Sequence, residues 1–303
     1  MQRDRVSEPL EPDYNVAPTK SVYAVLTRRA RDAGEHDGPE HDRPEQDGAK
    51  QGAAGQAGDE QDGGEARELR VLRWGLVPFW AKDPSIGSRM INARAETVSV
   101  KPAFRRAFTR RRCLLPADGY YEWYRPAGDA KAAKQPYYIY RADGGPLAFA
   151  GLYELWRNQE FPDDHPGAWL WTSTIITTSA PDELGRIHDR MPMVIRPELW
   201  ADWLDPGNSD TDGLLGLLAP AGAGRLIWRP VSTEVNSVRN NGPRLIEPAE
   251  PEPGAPGSAA PGSAGAPGLR GLPGSRGEPL AGSLVARSGA RRDASASSPG
   301  TLF

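Results

Sequence analysis

The chain has 303 residues, of which 34 are Gly, 30 are Pro and 38% are hydrophobic, too lean a mix to be folded throughout. It contains no apolar run long enough to span a membrane. The start, Met1-Gln2-Arg3-Asp4-Arg5, has no hydrophobic stretch behind its charges, so neither membrane insertion nor Sec export is expected. One cysteine, Cys113, and four histidines leave no internal disulfide framework or multi-cysteine zinc site, and the chain reads as cytoplasmic, without metal or cofactor.

In chain order, the first predicted strand is Val22 to Thr27. Residues 31–66 follow as an acidic low-complexity insert, read as a solvated loop because it lacks the apolar surface to offset its ordering entropy. A strand over Glu68 to Leu76 comes next, so the insert decorates a hairpin connection, where added length costs little. A helix is predicted over Lys101 to Thr109, where Ala103, Phe104, Ala107 and Phe108 share one face. Strands are then expected at Gly119 to Tyr124, Pro136 to Arg141, Leu147 to Trp156 and Trp169 to Thr177. Helices follow at Pro181 to Ile187, capped by Ser179, and at Pro197 to Leu204; a strand over Leu226 to Val231 ends the series. Residues 249–303, rich in Pro, Gly, Ala and Ser, read as a flexible tail. The expected architecture is α+β, a single β-rich domain over residues 1–248 with few helices, and it holds all nine tryptophans.

Charge separates along the chain. The insert carries 3 basic and 11 acidic residues and the tail 5 and 4, so a net charge of −3 overall leaves the folded core at +4. Such a core permits nucleic-acid binding without demanding it.

Several polar residues stand in apolar or strand-like surroundings, where burial is costly without a partner or a function. Glu122, in Asp118-Gly119-Tyr120-Tyr121-Glu122-Trp123, is flanked by aromatics that would desolvate a carboxylate and suit it to general-acid work, although strand alternation alone favours a solvent-facing residue. His188, in Ile187-His188-Asp189-Arg190-Met191-Pro192, has a carboxylate and a guanidinium beside an imidazole able to shuttle protons. Asn15 in Tyr14-Asn15-Val16-Ala17-Pro18 and Arg94 in Asn92-Ala93-Arg94 are ambiguous alone. The loop from Asn236 through Asn240 to Asn241 offers amides suited to phosphates or bases as well as to plain turns. Trp74, Trp80, Tyr120, Tyr121 and Trp123 are flat rings on which bases can stack, and equally ordinary core aromatics.

In order along the chain, Tyr14-Asn15-Val16-Ala17-Pro18, Arg73-Trp74-Gly75-Leu76-Val77-Pro78, Asn92-Ala93-Arg94, Ala117-Asp118-Gly119-Tyr120-Tyr121-Glu122-Trp123, Thr174-Ile175-Ile176-Thr177, His188-Asp189-Arg190-Met191-Pro192 and Val235 to Asn241 resemble the SOS response-associated peptidase family, the abasic-site processing proteins. The resemblance implies recognition of single-stranded DNA carrying an abasic site and a covalent link to the sugar aldehyde. In the family the link is a thiazolidine closed by the amine and thiol of a cysteine that follows the initiator Met, with limited self-processing and lyase chemistry alongside. It implies that Glu122 relays protons, His188 assists the imine chemistry and Asn15 orients the nucleophile. It also places Arg94, Arg190, Trp74, Asn92, Thr177 and Asn240 toward DNA. The chain departs from the family at its start, which reads Met1-Gln2-Arg3 with no cysteine, and the expectation is a true start further upstream. Cys113 lies mid-chain, has no α-amine and is expected to pack as a small buried hydrophobe. The alternatives are a single-stranded-DNA-binding module without the covalent step and, more remotely, a general cysteine peptidase.

Overall fold

The computed structural model describes residues 2–6, 8–29, 65–125, 133–180, 184–218, 226–252 and 255–257. Within these residues the strands are β1 (Gln2–Asp4), β2 (Ser21–Arg29), β3 (Glu65–Trp74), β4 (Asn92–Arg94), β5 (Arg112–Ala117), β6 (Gly119–Tyr124), β7 (Gln135–Arg141), β8 (Leu147–Arg157), β9 (Trp169–Ser179), β10 (Arg190–Pro192) and β11 (Leu226–Pro230). The helices are short: α1 (Arg105–Arg110), α2 (Trp200–Leu204) and α3 (Thr211–Leu217). The fold is the expected β-rich α+β domain. Most of the insert, the tail beyond residue 257 and the first residues of the helix predicted at Pro181 lie outside the described residues.

Five strands close into a barrel in the order β3, β2, β5, β8, β9 and back to β3. Its interior follows from period-two alternation: along β3, Ala66, Glu68, Arg70, Leu72 and Trp74 point inward. Leu26, Leu72, Cys113, Leu115 and Ile175 fill the middle. The outer faces of β5, β8 and β9 are covered too, Leu114, Leu152 and Ile176 packing with Phe108 and Trp203. With both faces buried, β8 reads as an unbroken apolar run apart from Glu154, which pairs with Arg111.

The seam between β3 and β9 is parallel and only two residue pairs long, Arg73 with Thr172 and Trp74 with Ser173. Immediately after it Gly75 takes φ 128°, turning the chain toward β4, and a Cβ there would stand 2.6 Å from the Gly87 carbonyl oxygen. Gly75→Ala is therefore expected to cost about 2–3 kcal/mol, read as a lowered melting temperature.

Two pieces extend β9 beyond the barrel. β4 pairs with it in parallel, placing Arg94 against Thr177, and β10 pairs antiparallel on the opposite edge, placing Pro192 against the same residue. A second sheet, β11-β7-β6, lays Tyr120, Tyr137, Ile139 and Trp228 against the barrel core and turns Tyr121, Trp123 and Tyr138 into a separate aromatic cluster with Val231 and Val235.

Three sequence expectations shift. β3 begins at Glu65, inside the span assigned to the insert, because Ala66 already alternates into the barrel. The helix at Lys101 opens as a turn, with the Phe104 N–H on the Lys101 carbonyl, and settles into α1 only from Arg105. The chain also stays bound to the domain past Pro248: Ala249 N–H donates to the Pro230 carbonyl at 2.9 Å, Glu252 N–H to Gln135 Oε1 at 3.0 Å, and Trp228 Nε1 to the Gly257 carbonyl at 3.1 Å.

Candidate functional site

Glu122 sits mid-way along β6, directly opposite Tyr137 of β7. Neighbouring residues Tyr121 and Trp123 face the aromatic cluster and Tyr120 the barrel core, so the second sheet has no wet face here and Glu122 is 1% exposed. Among the described residues neither carboxylate oxygen has a hydrogen-bond partner. Burial disfavours the charged form, and the carboxyl is pushed up to about 8; the backbone N–H of Trp123, near but outside full hydrogen-bond geometry, and the charge of Lys134 oppose the shift, and Asp189 reinforces it. At neutral pH the group is therefore mostly the protonated acid.

The second member arrives on a different element. Leu184 and Ile187 are buried in the barrel core, and the His188 N–H closes a turn onto the Leu184 carbonyl at 3.1 Å, which brings the imidazole to Glu122 with Nδ1 3.7 Å from Oε1. That separation is electrostatic contact, longer than a hydrogen bond. Nδ1 meets both a donor and an acceptor of Arg190, its backbone N–H at 3.1 Å and its carbonyl oxygen at 3.3 Å. Asp189 Oδ1 lies 3.3 Å from the same Nδ1 and is itself solvent-exposed. A half-buried imidazole and a protonated buried carboxyl side by side make an acid-base pair set to exchange protons with a third group.

Arg190 continues from His188 into β10, and its guanidinium lies over Thr177 and Glu96. Arg94, exposed on β4, reaches the same junction through its register with Thr177. The half-buried Asn92 begins β4 opposite Ile175. These residues gather where β4, β9 and β10 meet, next to the Glu122–His188 pair.

The other sequence candidates go elsewhere. Asn15 is buried and its Nδ2 donates to the carbonyls of Val235 at 3.0 Å and Ser237 at 3.1 Å. Asn241 ties back to this segment, accepting the Tyr14 N–H at 2.8 Å, and the Tyr121 hydroxyl donates to the Tyr14 carbonyl at 2.8 Å. Asn15 thus laces the 12–15 segment to the 235–241 loop, on the face of β6 opposite Glu122. Asn240 serves that loop, its side chain donating to the Glu234 carbonyl at 2.8 Å. Trp74 lies in the barrel core with Nε1 on the Ile91 carbonyl at 2.9 Å. Of the five rings named as stacking surfaces, Tyr120, Tyr121 and Trp123 are buried with it, and Trp80 is 51% exposed. Beside Trp80, Phe79 is also exposed, with the Arg106 guanidinium 4.5 Å over its ring. Phe79 and Glu96 were not read as candidates from the sequence; the run of two exposed aromatics after Pro78 was the available sign for Phe79.

Cys113 is wholly buried in the barrel, and desolvation holds its thiol above the ordinary range, so it is no nucleophile. Among the described residues no group of three or more His, Cys, Asp or Glu is arranged to hold a metal ion, and no helix is long and apolar enough to cross a membrane.

A five-stranded barrel flanked by a second sheet, with a buried acid beside a histidine and arginines nearby, places the chain in the class of β-rich barrel domains with a candidate acid-base site. The chain belongs to one family within it, the SOS response associated peptidase (SRAP) family, whose profile matches residues 1–238. It is 47% identical over 236 residues to the abasic site processing protein YoqW of Bacillus subtilis (strain 168), which covers 78% of this chain and 86% of that protein. It is 34% identical over 202 residues to the abasic site processing protein HMCES of Xenopus tropicalis, over 59% of this chain and 57% of that protein. A crystal structure of a protein from Bacteroides thetaiotaomicron superposes with a TM-score of 0.53 at 30% identity, over 60% of this chain and 78% of that one.

Proposed function

We propose that the chain recognises abasic sites in single-stranded DNA, with Glu122 and His188 handling protons at the ring-opened sugar aldehyde and the β4–β9–β10 junction holding the strand. The observation that supports this most is the Glu122 carboxyl, buried, raised to about 8 and 3.7 Å from His188. Condensation of an amine with an aldehyde gives a carbinolamine whose hydroxyl must be protonated to leave as water, and an acid still protonated at neutral pH is suited to that step. Addition of a thiol to the resulting imine closes a thiazolidine and returns a proton, for a net loss of one water; Glu122 donates the first proton and recovers the second. Arg94 and the exposed Trp80 are suited to phosphate contact and base stacking. The names of the relatives agree with abasic DNA as the substrate.

Cys113 does not serve the covalent step, so the nucleophile is the decisive variable. The test is denaturing gel electrophoresis of two proteins, the chain as it stands and one carrying the family's Met-Cys-Gly-Arg start ahead of it, each mixed with single-stranded DNA containing one abasic site. The expected result is a denaturant-resistant band with the second protein and salt-sensitive binding with the first. Failure of both to bind abasic single strands would sink the proposal, and crosslinking by the first would overturn the assignment of the nucleophile.

A further inference from the structure

The Arg190 guanidinium is held from two directions of different character. From within, its Nη2 donates to the Thr177 carbonyl at 2.8 Å and to the Thr177 hydroxyl at 3.1 Å, and Thr177 is buried where β4, β9 and β10 meet. From outside, Nη1 and Nη2 meet the two oxygens of Glu96 at 2.6 and 3.1 Å. The Glu96 side chain is 48% exposed and that of Arg190 14%. Thr177 is thus a fixed anchor and Glu96 a partner that can swing into water. The edge Glu96 occupies is the two-donor fork by which arginine takes a pair of phosphate oxygens. The hydrogen bonds from Arg190 and the charges of Arg190 and Arg94 hold the Glu96 carboxyl below its ordinary range, so it stays anionic.

We propose that Glu96 is an internal stand-in for phosphate: its carboxylate occupies the Arg190 fork that a backbone phosphate of single-stranded DNA takes, and thereby sets the affinity of DNA binding. This rests on the DNA reading above. When the strand arrives, Glu96 turns out to solvent, a phosphate accepts the same two N–H donors, and Thr177 keeps the guanidinium aimed. A half-exposed ion pair is weak enough in water to be exchanged in this way. The same pair discriminates against ligands that offer no two-oxygen anion.

The test uses the full chain, its Glu96→Ala, Glu96→Gln and Arg190→Ala variants and the Glu96→Ala/Arg190→Ala double variant. Binding of a labelled single-stranded oligonucleotide without lesions is followed by fluorescence anisotropy from low to moderate salt. Removing the Glu96 charge is expected to tighten binding about two- to fivefold at low salt. The plot of log affinity against log salt is expected to change by less than the roughly 0.7 of one phosphate, because the fork neutralises the same phosphate with or without Glu96. Arg190→Ala weakens binding, and the double variant matches it, because Glu96 acts through that guanidinium. Weaker or unchanged binding in both Glu96 variants overturns the proposal; Glu96→Gln keeps the side chain's shape, so it reports even if Glu96→Ala folds poorly. A second arm needs no DNA: pyrophosphate is titrated while the Arg190 guanidinium is watched by nitrogen-15 NMR. A response in Glu96→Gln at concentrations that leave the parent unmoved supports the anion seat even if no protein binds DNA, in which case the DNA reading alone falls. Equal responses in parent and variant overturn it.

Discussion

Glu122→Gln is expected to stabilise the protein in alkaline solution while leaving it nearly unchanged in acid. The folded carboxyl titrates at about 8, against 4.5 in the ordinary case, so between these values the folded chain holds a proton that the unfolded chain has released. Stability associated with this group is therefore fully present below pH 4.5, declines as pH rises and is lost once pH passes 8. Each unit of displacement is worth about 1.4 kcal/mol, which puts the loss on the order of 5 kcal/mol above pH 9. The Gln amide does not ionise, so the variant lacks this loss; near pH 5 both proteins bury a neutral, unpaired polar group at similar cost. Melting temperatures of parent and variant from pH 5 to 9.5 give the difference curve directly. A flat difference would mean that Glu122 is ionised and partnered in the fold, and would remove the basis for its role as an acid. In the protein carrying the family's N-terminal cysteine, the same substitution is expected to slow crosslinking by about two orders of magnitude, the usual weight of general acid catalysis, while binding to intact single strands is retained.

Glu122 was legible in the sequence as a candidate, but whether it is buried was left open there. Alternation along Gly119 to Tyr124 identified β6 with its observed bounds, yet alternation assigns one face to water, and here a second sheet packed on a barrel leaves no wet face. The long strands were readable because β-branched and aromatic residues crowd them. β4 and β10 were not, being three residues each and paired with β9 alone among the described strands. β5 escaped because an arginine opens it and Pro116 interrupts its apolar run, and α3 because Gly213 and Gly216 dilute its helical pattern. The meeting of His188 with Glu122, and of Glu96 with Arg190, is a tertiary event, and no spacing in one sequence encodes it. Asn15 shows the converse: its string marked the family, but the structure gives its amide to the carbonyls of the 235–241 loop.

The largest purely structural effect is expected at Arg112, which the sequence analysis did not single out. It opens β5 and is buried, and among the described residues no carboxylate is bonded to it; its bonds go to main-chain carbonyls at the ends of two helices. Nη1 donates to the Phe108 carbonyl at 2.8 Å in the last turn of α1, and Nε to the Trp203 carbonyl at 2.8 Å in α2. Nη2 reaches the carbonyls of Asp205, at 2.5 Å, and Asn208, at 2.9 Å, in the turn that follows. Carbonyls at helix C-termini lack intrahelical donors and carry the negative end of the helix dipole, so one guanidinium satisfies several of them and is in turn stabilised by them. Burial still lowers its affinity for the proton, to about 10, which leaves it charged at neutral pH. Arg112→Ala strands those carbonyls inside the protein and opens a gap beside Trp203. At about 1–3 kcal/mol for each buried group left unmet, a loss of about 4 kcal/mol is expected, seen as a shift in the denaturation midpoint. Arg112→Lys is expected to recover only part of it, since an ammonium cannot span carbonyls on two helices from one planar fork. Full recovery by Lys would show that the charge alone matters and that the fork's geometry does not. The barrel wall that carries Cys113 and Leu115 on one face and Leu114 on the other is thus fastened to both helices at its first residue.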